Sequence, residues 1–142
     1  MLRFLQKRKF RLVTRWKGSL KENMGFQLPM RSPFPYALIF RAFDEVLHQL
    51  KFDPIDTNVE MSESFLSSLA GGATPTADQY MELFLTGRDV LGDFIETDAS
   101  FRGMFPEAER QILRGALEQI FKHLIDREMR EYARRFSSSL PR

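Results

Sequence analysis

The sequence predicts an all-α protein, an antiparallel bundle of four or five helices that ends in one long C-terminal helix. Three observations predict it. Apolar residues recur at i, i+3 or i+4, and i+7 in several separate stretches, the period of a helix buried on one side. Valine is scarce, at positions 13, 46, 59 and 90, and no segment alternates apolar with polar residues or carries an Asn-Gly or Asp-Gly hairpin turn. Prolines fall between the periodic stretches and so punctuate them. At 142 residues and 16.6 kDa, the chain suits one domain, taken here as residues 1–136 with a frayed, disordered tail over 137–142.

The first helix is expected over about residues 2–22. At 100° per residue, Leu2, Leu5, Leu12, Val13, Trp16 and Leu20 share an arc of about 100°, and Lys9 alone among the basic residues lies within it and must snorkel. Gly25 marks its end. A proline-rich loop to Pro35 follows, with Ser32 as cap and Pro33 or Pro35 in the first turn of the next helix, which carries Ile39, Phe43, Val46, Leu47 and Leu50. Asp53-Pro54 opens a shorter polar helix to about Ala70, broken by Gly71-Gly72. Thr76 with Gln79 is a capping-box pattern, and the helix it opens places Tyr80, Leu83, Phe84, Leu91, Phe94 and Ile95 on one face and ends near Asp98. Arg102-Gly103 reads as a connection. Pro106 then starts a helix with no breaker before Phe136, a run of 31 residues or about 46 Å. The other helices are shorter, so part of this one should overhang the bundle.

Net charge is +2, but the charge is segregated. Residues 1–21 hold eight basic residues and no acid, 22–101 carry −9, and 102–142 carry +3. Separated signs either pair within the molecule or face different partners. Cysteine is absent, which removes disulfides, thiolate metal sites and cysteine nucleophiles and suits a reducing compartment. Apolar runs near the start are only two residues long, too short for a secretory signal. No stretch of 18 apolar residues is present. The chain reads as soluble and cytoplasmic.

Chemistry has few candidates. Nucleotide-binding glycine motifs, the H-E-x-x-H pair and a calcium loop are all missing from the sequence. The two histidines, His48 and His123, lack local metal-ligand spacing, and the carboxylate pairs Asp44/Glu45 and Asp53/Asp56 are placed on helix surfaces or near helix starts, where the macrodipole explains them. Neither an enzyme activity nor a cofactor or metal is implied.

Three features carry more. Gly87 lies amid the aromatic face of its helix, where glycine costs about 1 kcal/mol relative to alanine. Either a neighbouring helix approaches there, or Tyr80, Phe84, Gly87, Leu91 and Phe94 line space for a small apolar ligand. In the last helix Ile112, Leu113, Ala116, Leu117, Ile120 and Leu124 share one face, but Phe121, Ile125, Met129, Tyr132 and Phe136 drift round the cylinder. That drift suits packing round a curved bundle, or a seam for a protein partner or homodimer. The basic first helix suits a core helix with a solvated face, and alternatively contact with nucleic acid, an anionic membrane or an acidic protein.

The run Phe10-Arg-Leu-Val-Thr-Arg-Trp16, then Ser32-Pro-Phe-Pro35, the helix Ala42-Phe-Asp-Glu-Val-Leu47 and Thr74-Pro75-Thr76 before Tyr80 resemble the helical N-terminal sensor domains of RsbRD-type co-antagonists, which are similar to domains preceding some sensor histidine kinases. The resemblance spans about residues 1–100 and rests on pattern. It implies a sensory or regulatory input without catalytic residues, and the long helix from Pro106 takes the place of an output domain. The expectation is a non-enzymatic helical signalling or sensor module that binds a small ligand, a partner protein or both and self-associates. The alternative is an interaction protein that uses its basic N-terminal helix on nucleic acid or an anionic membrane.

Overall fold

The computed structural model describes residues 1–24, 36–51 and 77–137. Among them are six helices and no strand: α1 (Leu2–Lys7), α2 (Lys9–Met24), α3 (Tyr36–Leu50), α4 (Ala77–Thr97), α5 (Ala99–Met104) and α6 (Glu107–Ser137). The expected fold class stands. The capping residues Ser32, Pro33, Pro35 and Thr76, Gly25, and the polar helix expected over 54–70 lie outside the described residues.

Two boundaries differ from expectation. The first helix divides at Arg8, where φ is −98° and ψ is 8°. There the Arg8 N–H donates to the carbonyls of both Phe4 and Leu5, at 3.2 and 3.1 Å, while the Arg8 carbonyl accepts from Leu12 N–H at 2.9 Å. The hydrogen-bond ladder thus runs on through a tight turn, and periodicity alone does not register so small a change. Arg102 and Gly103 are not in a connection but in α5. Asp98 explains this: it ends α4, and its carboxylate accepts from Phe101 N–H at 2.9 Å, so one residue closes one helix and caps the next.

The long helices touch in a ring: α2 packs on α3 and α4, and α6 packs on α3 and α4. Ring and ion-pair partners set the directions. Phe10 meets Phe40 while Lys9 meets Asp44, so α2 and α3 are antiparallel. Phe4 of α1 meets Phe94 while Trp16 of α2 reaches Leu83, so the α1–α2 run is antiparallel to α4 as well. Glu96 near the end of α4 pairs with Arg114 near the start of α6, a helical hairpin through α5. Consequently α3 ends at the same end of the bundle as α4, and the start of α4 lies at the other.

Burial follows the predicted stripes. Leu12, Val13, Trp16 and Leu20 of α2, Ile39, Phe43, Val46 and Leu47 of α3, and Tyr80, Leu83, Phe84, Leu91, Phe94 and Ile95 of α4 are all buried. Phe4, Phe94, Phe101 and Phe105 close one end as a ring cluster, with centroids 4.8–6.3 Å apart. One expected core residue is out: Ile112 is 73% exposed. Leu113 beside it is buried as expected, and the buried face of α6 runs through Arg110, Leu113, Leu117, Ile120, Phe121, Leu124 and Glu128.

Candidate functional site

Glycine at position 87 lets α2 close on α4. A methyl group built on Gly87 would overlap Cζ2 and Cε2 of Trp16 and stand 2.6 Å from its Cη2. The fully buried indole therefore fills the notch, and its Nε1–H donates to the Leu83 carbonyl at 2.9 Å. Tyr80, Phe84, Leu91 and Phe94 of the same helix are buried. Of the two readings of Gly87, the neighbouring helix accounts for it: the space beside the glycine holds Trp16.

The C-terminal half of α6 has a different character. Phe121, expected among the partner-facing residues, is in the core, its ring 5.9 Å from that of Trp16. Ile125, Met129 and Tyr132 are half-buried against the edge of the core, so the expected overhang largely lies against the bundle. The side chain of Phe136 lies outside the described residues. Between this half of α6 and α3 sits a cluster of charge. Arg127 donates both terminal nitrogens to the Glu45 carboxylate, one of them at 3.3 Å, and Nη2 also donates to Glu128 at 3.2 Å. The Glu128 side chain is fully buried and that of Glu45 nearly so. Glu45 is thus not the surface residue expected. Of five buried polar or charged residues among the described ones, Glu45, Gln49, Arg110 and Glu128 are on α3 and α6, and only Thr86 is on α4. Farther along α6, Arg134 is held above its ordinary pKa by its hydrogen bond to Glu131 and the charge of that carboxylate.

Two open grooves lie among the described residues. One, of about 390 Å³, lies between α4 and α6 and is lined by Arg88, Asp89, Asp93, Arg114 and Glu118, two bases and three acids. The other, of about 550 Å³, lies between α1 and α3 and includes Leu2, Leu47 and His48. His48 is exposed and His123 half-buried. Among the described residues no group of three or more His, Asp or Glu side chains is placed to hold a metal ion, and no helix is long and apolar enough to cross a membrane.

The basic helix divides its charges. Lys9 snorkels as expected, its ammonium 5.4 Å above the Phe40 ring and 2.5 Å from the Asp44 carboxylate. Arg15 pairs with Asp93 of α4, and Arg8 lies 5.1 Å over the Phe4 ring. Thus part of the N-terminal charge is answered by the acidic middle of the chain. Neither a protein-family model, nor a curated protein, nor a solved structure matches the chain.

Proposed function

We propose that the protein is a non-enzymatic helical signalling module whose output is the packing of the C-terminal half of α6, which engages a protein partner or a second copy through Ile125, Met129, Tyr132 and Phe136. The observation that carries this reading is the buried Glu45–Arg127–Glu128 cluster between α3 and α6. A buried ion pair gives back in Coulomb energy little more than its desolvation costs, so a seam built on one is held less tightly than a dry seam of equal area. The α2–α4 seam, closed by Trp16 in the notch of Gly87, is the rigid half of the same body. A module with one fixed and one exchangeable seam has the bistable element that switching needs. The resemblance to RsbRD-type sensor domains supports a regulatory role as well. No cofactor enters this reading.

Light scattering across a concentration series, with hydrogen exchange on the same samples, tests it. Expected are concentration-dependent association and protection gained over 125–132, both lost in Met129→Glu/Tyr132→Glu. A particle that stays monomeric at every concentration, with exchange over 125–132 no faster than in α2, would remove the α6 seam from the argument.

A further inference from the structure

The outward face of α1 and α2 is a basic ridge with one aromatic residue on it. Arg3, Lys7, Phe10, Arg11, Thr14, Gly18 and Lys21 are all exposed, and at 100° per residue they occupy an arc of about 100°. None is acidic. Arg3, Lys7, Arg11 and Lys21 make no ion pair among the described residues. Phe10 is 74% exposed, its ring 6.3 Å from that of Phe40. From Arg3 to Lys21 the ridge is about 27 Å long.

We propose that this ridge docks the protein on an anionic bilayer surface, the basic side chains among lipid phosphates and Phe10 inserted at the level of the headgroups. Charge selects an anionic partner, since four cations with no ion pair among the described residues lie on one face without an acid between them. Shape selects a plane over a nucleic-acid groove. A helix seated in the major groove has a phosphate strand on either side, so its flanks should be basic. Here the flank towards α4 is neutralised by Arg15–Asp93, and Lys9, on the core side of the helix, is paired with Asp44 of α3. A single strand would need aromatic platforms for successive bases, and the ridge carries one aromatic residue. A flat surface needs only the ridge. Phe10 explains itself there too, because a large apolar side chain on a charged face gains by entering the headgroup and acyl boundary. This proposal is independent of the one made for α6, whose residues lie on another helix.

Sedimentation of the full chain with vesicles tests it, using phosphatidylcholine alone and phosphatidylcholine mixed with phosphatidylglycerol. Binding is expected to the mixed vesicles only and should fall steeply with added salt. Removing one basic residue should weaken it about fivefold, so Lys7→Gln/Arg11→Gln and the separate pair Arg3→Gln/Lys21→Gln should each lose about 25-fold. Phe10→Ser should lose roughly tenfold, and Phe10→Trp should add emission that shifts to the blue on the mixed vesicles. Circular dichroism checks that the variants fold, and all five positions are exposed. Equal binding to neutral and mixed vesicles, or undiminished binding by both glutamine pairs, would overturn the proposal. So would tighter binding of a DNA duplex than of mixed vesicles at the same salt, which would assign the ridge to nucleic acid.

Discussion

Gly87 and Trp16 are two halves of one contact, and each explains what the other costs. The glycine gives up about 1 kcal/mol of helix stability, and the indole uses the freed space to bury its rings and hydrogen-bond the Leu83 carbonyl exposed at the notch. Gly87→Ala should therefore destabilise the fold by about 2 kcal/mol, an overpacking cost only partly offset by the gain in propensity. Trp16→Leu removes the obstructing atoms, so Gly87→Ala in that background should be neutral or stabilising by up to about 1 kcal/mol. Urea unfolding of the four species measures the cycle. Additive effects would mean that Trp16 is not what position 87 is shaped to receive. This residue also shows how far sequence reasoning reaches. A glycine on an aromatic helix face announces close approach, but the approaching residue is 71 positions away in the chain, and nothing local distinguishes an indole from a ligand.

Among elements, α6 is where periodicity and packing part company. Its first half could be read from spacing, apart from Ile112, which lies outside the buried face that Leu113 shares with Leu117. The second half was harder because Glu128 is four residues after Leu124, in phase with Leu117, Phe121 and Leu124, and so belongs to the buried face although it is charged. A reading that sorts residues by polarity discards such a position. One that keeps phase first would have flagged Glu128 as a buried carboxylate in need of a cation, and Arg127 beside it as a candidate. Glu45, between Phe43 and Val46, carries the same signal on α3. The energetics are testable at this scale. Arg127→Met removes the cation that the two buried carboxylates share and should cost about 3–5 kcal/mol. Replacing all three, Glu45→Leu/Arg127→Met/Glu128→Leu, should be close to neutral or stabilising. If the triple variant is as unstable as the single one, the cluster contributes net stability, and the α3–α6 seam is not the more easily exchanged one.

Taken whole, the molecule uses its separated charges in two ways, and salt distinguishes them. Lys9–Asp44, Arg15–Asp93 and Arg114–Glu96 join neighbouring helices across the surface, and all three have substantially exposed partners. Exposed pairs of this kind contribute about 0–1 kcal/mol each, so they link the helices at the surface without deciding whether the chain folds. The core decides that, with Trp16, Phe43, Tyr80, Phe84, Phe101 and Phe121 fully buried on five of the six helices. Among the described residues Arg3, Lys7, Arg11 and Lys21 make no ion pair, and they repel one another along the ridge. Raising ionic strength to about 1 M shrinks the screening length to about 3 Å. The surface pairs weaken while the repulsion on the ridge is relieved, and the two changes oppose each other. The midpoint of urea unfolding should therefore shift by less than about 1 kcal/mol equivalent between low and high salt. Binding to anionic vesicles should disappear over the same range. A fold that loses several kcal/mol in high salt would mean that the N-terminal charge is held for internal pairing with the acidic middle of the chain, and the ridge would then be a consequence of folding, with no partner required to account for it.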